Sequence, residues 1–135
     1  MEFDTKIKIV LRNDLEAWQE LNITAFLMSG IAGTQNIIGQ PYVDADGVEY
    51  LPMSQQPIMI HSASGEQMKD LLKKALTKDV VLTIFTEELF NTYNDVDNRD
   101  MVSRFKTEEL NLVGIGIRGK KNHVDRLLKG FELHR

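Results

Sequence analysis

Short apolar runs alternate along this chain with segments of helical periodicity, and that alternation narrows the fold more than any single residue does. Lys6–Arg12 alternates lysine with isoleucine and then runs apolar, the pattern of a strand. Asn13 or Asp14 stands where a helix N-cap belongs. Leu15–Ala32 has helical spacing, with Gly30 or Gly33 as its stop. The second half of that helix (Ala25, Phe26, Leu27, Met28, Ile31) is apolar on nearly every face, which predicts burial in the core. Asp46-Gly47, between Tyr42 and Tyr50, predicts a small hairpin. Pro57–His61 reads as a second core strand. Ser64-Gly-Glu-Gln67 is a capping box, opening a helix whose stripe is Met68, Leu71, Leu72, Ala75 and Leu76. Asp79–Thr86 is a third strand, and residues 87–105 are helical in part with a break near Asn94. Leu112–Arg118 is a further strand. Lys120–Lys129 is a short helix with Val124, Leu127 and Leu128 inward, stopped by Gly130, and Phe131–His134 closes as an edge strand. Strands alternating with helices predict an α/β fold of three layers, α/β/α, around a mixed, mainly parallel sheet.

A chain of 135 residues suits a single domain over its whole length, 1–135, with an ordinary core. It has no cysteine, which excludes a disulfide frame, a thiol nucleophile and a thiolate metal site. That composition fits a cytoplasmic protein. The opening Met-Glu-Phe-Asp-Thr-Lys has neither the basic start nor the apolar stretch of a signal peptide, and no apolar run reaches the length of a membrane span. No membrane partner is expected. The net charge of −4 disfavours a non-specific nucleic-acid coat. Charge is unevenly spread: residues 118–135 hold six basic and two acidic side chains, which leaves room for a local anion site.

Most candidate motifs fail on inspection. Gly114, Gly116 and Gly119 match the spacing of a dinucleotide fingerprint, but the chain ends before the acidic strand such a site needs. Gly114 and Gly116 alternate with Val113, Ile115 and Ile117 as one face of a strand, so a neighbouring helix packed closely on glycine is the better reading. Arg118-Gly-Lys120-Lys121, at a helix start, suits either an anion or a solvated basic turn. Asp44-Ala-Asp46-Gly47-Val-Glu49 hints at a calcium loop that Leu51-Pro52 breaks, leaving a hairpin turn. The acidic residues from Asp95 to Asp100 suit a helix start. His61 ends a core strand, while His123 and His134 lie in an exposed terminal region, and none forms a metal-binding pair. No metal and no cofactor are expected. Trp18, Asn22, Ala25 and Ser29 fall within about 60° of one another on a helix, as a pocket wall or a satisfied core strip. Glu87 and Glu88 follow a core strand, where a carboxylate acts as acid or base or merely as a helix-start charge.

Several segments together resemble one family. They are Lys6–Arg12 with Asp14-Leu15, Asn22-Ile-Thr-Ala25, Tyr50-Leu-Pro-Met53, Phe85–Phe90, and Val124–Gly130 with Leu133. On these the chain is identified as a member of the "domain of unknown function two thousand" family. That family in turn resembles peptidyl-tRNA hydrolase type II, whose opening Arg-x-Asp-Leu matches Arg12-Asn-Asp14-Leu15. The hydrolases' Gly-Lys-Ile-Ala-Ala-Gln corresponds to Leu21–Phe26, so Asn22 replaces the working lysine and Phe26 the glutamine. Their Asp-Ala-Gly-x-Thr loop falls near Thr86–Thr92, where Glu87, Glu88 and Thr92 stand without the Ala-Gly.

The resemblance implies a hydrolase-like fold without the hydrolase's catalytic set. Its leading consequence is a small anionic or nucleotide-like ligand at the sheet edge, bound by Arg12, Asn22, Thr24, Thr92 and Arg118. A peptidyl-tRNA (ester) hydrolase using Glu87 or Glu88 with Asn22 is the second, with tRNA as substrate. A non-catalytic homodimer is the third, since the type II hydrolases are often dimers.

Overall fold

The computed structural model describes residues 2–135. In chain order the strands are β1 (Thr5–Arg12), β2 (Tyr42–Val43), β3 (Glu49–Tyr50), β4 (Ile58–Ala63), β5 (Val80–Thr86), β6 (Leu112–Lys120) and β7 (Glu132–Leu133). The helices are α1 (Ala17–Thr34), α2 (Gly65–Ala75), α3 (Asp95–Ser103) and α4 (Lys121–Leu127), with short 3-10 turns at Glu87–Asn91 and Thr107–Glu109. Five strands form one sheet in the order β5-β6-β1-β4-β7, and β2 pairs with β3 in a separate hairpin.

Side chains alternate across each strand, so the sheet has two apolar faces. Ile9 and Leu11 of β1 meet Ile23 and Leu27 of α1 on one face. Val10 of β1 and Ile115 and Ile117 of β6 meet α2 and α4 on the other, through Met68, Leu71, Val124 and Leu127. Helices thus cover both sides of a mixed sheet. Among the described residues no helix is long and apolar enough to cross a membrane.

The sheet is mostly antiparallel, where alternation of elements predicts a mainly parallel one. Only β1 and β4 run parallel, while β1–β6, β5–β6 and β4–β7 are antiparallel. The difference lies in what joins β5 to β6. A parallel return needs a crossover that lies over a face of the sheet. The segment between them instead turns out at the sheet's end, and its α3 buries no residue fully. The chain therefore comes straight back beside β5. A bulge accompanies this return, since Phe85 faces Gly114 while Thr86 faces Leu112, leaving Val113 as the extra residue.

Other elements depart from expectation only locally. α1 starts after Glu16, whose N–H donates to Gln19 Oε1 at 2.9 Å, because Asp14 is taken up by Arg12. α1 also runs through both Gly30 and Gly33. Its second half is not wholly buried: Ile23, Leu27 and Ile31 face the core, while Phe26 and Ala25 are exposed. Each buried aliphatic contributes about 1.5–3 kcal/mol. In α2 the Ser64–Gln67 capping box forms as expected, with Ser64 N–H donating to Gln67 Oε1 at 2.9 Å, but Leu76 lies outside the buried stripe. The break near Asn94 is an N-cap, its Oδ1 accepting from Asp97 N–H at 2.8 Å. The hairpin turns at Gly47, whose φ of +85° suits glycine.

The glycines of β6 determine how close α1 can come. A Cβ on Gly114 would stand 2.4 Å from Ile23 Cγ2, and one on Gly116 would stand 3.1 Å from Ile31 Cδ1. Gly30 makes the reciprocal concession, because a Cβ there would lie 2.7 Å from Thr83 Cγ2 of β5. Gly114→Ala should therefore overpack the α1 face and cost about 1–3 kcal/mol in urea unfolding. Gly33→Ala meets nothing within 4 Å and should instead gain up to about 1 kcal/mol from helix propensity. Equal stability of the two variants would show that the close approach is not what seats α1.

Candidate functional site

A cleft of about 400 Å³ opens where α1 meets the end of β5 and the turn that follows it. Trp18, Asn22 and Phe26 are one helical turn apart on α1 and form its first wall. Phe85, Leu89, Phe90, Thr92 and Tyr93 form the second wall, and Asn94, Asp95 and Asn98 close the end. The aromatics stack in series. Trp18 meets Phe90 edge-on with ring centroids 5.5 Å apart, Phe90 meets Phe85 at 5.2 Å, and Phe85 meets Phe26 at 5.9 Å. Such pairs prefer tilted geometries and stiffen a wall beyond what their burial provides. Tyr93 is 94% exposed, an unusual setting for a large aromatic at the edge of an apolar cavity.

Polar groups in the cleft are uncharged, apart from Asp95. The Asn22 side chain is exposed to the opening. Thr92 Oγ1 is tied to Asn98 Oδ1 and donates to Leu89 O at 2.9 Å. Among the described residues no lysine, arginine or histidine lines the cleft. A larger concavity between α2 and residues 106–108 is lined by lysines and carboxylates, with no aromatic wall among the described residues and none of the candidate site residues.

Asn22 and Thr92 are thus brought together in the cleft, Arg12 and Glu87 meet each other outside it, and Glu88, Thr24 and Arg118 stand apart. Glu87 accepts from Asn111 Nδ2 at 2.7 Å and from Arg12 Nη2 at 3.3 Å. Arg12 also donates from Nε to Asp14 at 2.6 Å and from Nη1 to Asn111 at 3.1 Å. The Arg12 hydrogen bond holds the Asp14 carboxyl below its ordinary value, while Asp14 in turn raises Arg12. This network ties β1 to the starts of β6 and the 3-10 turn. Glu88 follows in that turn, with Oε2 buried and without a hydrogen-bond partner among the described residues. Thr24 donates to Glu20 O at 2.8 Å, about 200° around α1 from Asn22. Arg118 is far along β6 and donates to Gln35 Oε1 at 3.1 Å and Thr5 Oγ1 at 3.4 Å. Beside it, the Lys121 N–H at the start of α4 donates to Asp4 O, which takes up one of the backbone donors an anion would use.

Comparison with known proteins places the chain. The family described as Protein of unknown function (DUF2000) matches residues 5–135. The chain belongs to the DUF2000 family. A solved structure of a protein of unknown function from Agrobacterium tumefaciens strain C58 is 41% identical. It superposes with a TM-score of 0.95 over 99% of this chain and 100% of its own. No functionally curated protein matches the sequence.

Sequence reasoning alone missed much of the DUF2000 cleft, namely Phe85, Phe90, Tyr93 and Asn98. One signal was available, since Trp18, Asn22 and Phe26 repeat at four-residue spacing, as one exposed helix stripe does. Among the described residues no group of three or more His, Asp or Glu side chains gathers as a metal site. His123 and His134, expected to be exposed, are each half-buried.

His61 sits on the α2 and α4 face of β4, 7% exposed, with neither ring nitrogen in hydrogen-bond geometry among the described residues. Burial lowers its pKa from the ordinary 6.5, the Lys8 charge lowers it further, and the backbone of Phe131 and Glu132 offsets this in part. Both folded and unfolded His61 are neutral above about 6.5, where its contribution is full. As pH falls below that value the unfolded chain takes up the proton first, so stability is lost until the pH drops beneath the folded value. Chemical denaturation of wild type and His61→Leu between pH 8 and 5 should give a shallower acid loss in the variant. Parallel pH curves would mean that His61 ionises as freely in the fold as outside it.

Proposed function

We propose that this DUF2000 chain is a binding protein whose cleft takes a planar, uncharged or cationic ring, such as the base-like part of a nucleotide. The observation that carries the reading is the lining itself: a continuous aromatic wall with the Asn22 and Asn98 amides beside it and, among the described residues, no cation. Aromatic faces hold a flat ring by stacking and dispersion, and amides present both donors and acceptors to its edge. A phosphate or carboxylate finds no counter-charge here, since Arg12 and Arg118 are committed elsewhere. The ring system, not the anionic part, is therefore the recognised element.

Trp18 is the single tryptophan of the chain and lies in the cleft wall, so its fluorescence reports occupancy. Titration with adenosine, guanosine and nicotinamide should quench Trp18 and raise the melting temperature for at least one of them. Asn22→Ala should weaken that ligand about 5- to 10-fold, the worth of one hydrogen bond. The corresponding 5′-monophosphate should bind no tighter than the nucleoside. Tighter binding of the monophosphate would restore the anionic reading, and no quenching by any of them would remove the binding reading.

A hydrolytic use of the same end of the sheet has one observation in its favour, the buried unpaired oxygen of Glu88. A carboxylate left so is costly unless a ligand or substrate group reaches it. In this reading purified protein turns over N-blocked aminoacyl-tRNA, and Glu88→Gln abolishes turnover while keeping the melting temperature. Glu87→Gln should instead lower stability, because Glu87 holds Arg12 and Asn111. Absence of turnover in the wild type retires it.

A further inference from the structure

On the side of α1 away from the aromatic cleft, three side chains from distant parts of the chain meet in a row. Ser62 Oγ of β4 lies 2.6 Å from His134 Nδ1, and His134 Nε2 pairs with Glu20 Oε2 of α1. Ser62 points to the α1 side of the sheet, as Ile58 and Ile60 do two and four residues earlier. His134 is held in place by its own backbone, whose N–H donates to Ile60 O at 2.8 Å at the sheet edge. The imidazole and the Glu20 carboxylate are 29% and 21% exposed, sheltered but reachable. The row forms part of a cavity of about 310 Å³ whose wall also includes Arg12, Asn13 and Arg135.

The proton positions follow from the partners. A carboxylate only accepts, so the nitrogen facing Glu20 carries the hydrogen. In the neutral imidazole Nδ1 is then bare and accepts from the Ser62 hydroxyl. The serine faces a base, and the base is oriented by an acid. That is the arrangement of roles by which a hydroxyl is made nucleophilic, here with the two ring nitrogens exchanged relative to the common form.

We propose that Ser62, His134 and Glu20 form a nucleophilic site for acyl transfer from carboxylic esters. Ser62 Oγ attacks the ester carbonyl as its proton passes to His134 Nδ1. The Glu20 carboxylate stabilises the resulting imidazolium through Nε2–H. Collapse of the tetrahedral intermediate breaks the bond to the alcohol oxygen, which leaves with the proton from Nδ1. Water, giving a proton to Nδ1, then attacks the acyl-serine, and Ser62 recovers that proton as the carboxylic acid departs. Arg135, which shares the cavity wall with Glu132, is the cation left for the negative charge that grows on the carbonyl oxygen, because Arg12 is held by Asp14, Asn111 and Glu87. This site is independent of the aromatic cleft and of the ring-binding reading.

The competing explanation is a latch that merely fastens the chain's last residues to α1. Wild-type protein treated with a fluorophosphonate should form a phosphonyl adduct on Ser62 with loss of fluoride, located by peptide mass mapping. It should also release p-nitrophenol from p-nitrophenyl acetate, with a burst matching the acylated fraction. His134→Gln should slow labelling by about 100-fold or more, the usual contribution of a general base. No adduct on Ser62, or an unchanged rate in His134→Gln, overturns the proposal and leaves the latch. Should His134→Gln fail to fold, Ser62→Cys decides, because the chain has no other thiol. A histidine-paired thiol should react with iodoacetamide about tenfold faster than glutathione under the same conditions. A rate equal to that of glutathione overturns the proposal.

Discussion

α1 rests on a strand that presents only hydrogen atoms to it at two positions. Gly114 and Gly116 of β6 lie under Ile23, Leu27 and Ile31, and Gly30 of the helix lies over Thr83 of β5. Interiors are packed to crystal-like density, so a single added carbon at such a place has nowhere to go. The consequences reach past the core. Because α1 is drawn down onto β5 and β6, Trp18 and Phe26 come within stacking distance of Phe90 and Phe85. The same seating brings Glu20, on another side of the helix, to the edge of β4 where His134 lies. One close approach thus underlies both cavities that flank the helix.

Charge is used mainly to tie the sheet's ends together. Arg12 spans Asp14, Asn111 and Glu87 at one end, and Arg118 spans Gln35 and Thr5 at the other. Cations with multiple donors suit such joints because the planar guanidinium reaches several acceptors at once. Their commitment leaves the aromatic cleft without positive charge, and the neighbouring Asp95 pairs with Arg99 on its own helix. Recognition there falls to ring faces and amides, which discriminate by shape and hydrogen-bond pattern.

How much was legible in the residues depends on the range of the interaction that decides each feature. The capping box at Ser64, the break near Asn94, the turn at Gly47 and the glycine face of β6 are signalled within a few residues, and all appear in the structure. Strand direction was not legible, because the excursion between β5 and β6 has helical residues but does not cover a sheet face. The exposure of Phe26 was not legible either, since an apolar residue on a helix reads as core until a second wall of aromatics is known to stand beside it. Asn22 and Thr92 share a cleft, whereas Arg12, Glu87 and Arg118 hold the scaffold, and composition and spacing do not separate those two uses of a polar side chain.

Preferences of neighbouring residues were enough for the run of strands and helices, the capping box of α2, the turn at Gly47 and the glycine seat for α1, whereas the start of α1 moved to Glu16 because Arg12 takes up Asp14. The antiparallel return of β6 and the gathering of aromatics into one cleft came only with the assembled fold. It alone decided the meeting of Ser62 with His134 across 72 residues of chain, and of Arg12 with Glu87 across 75. Such contacts follow from which strands pair and in what direction, a choice made by the cooperative burial of both sheet faces, which no short stretch of sequence carries alone.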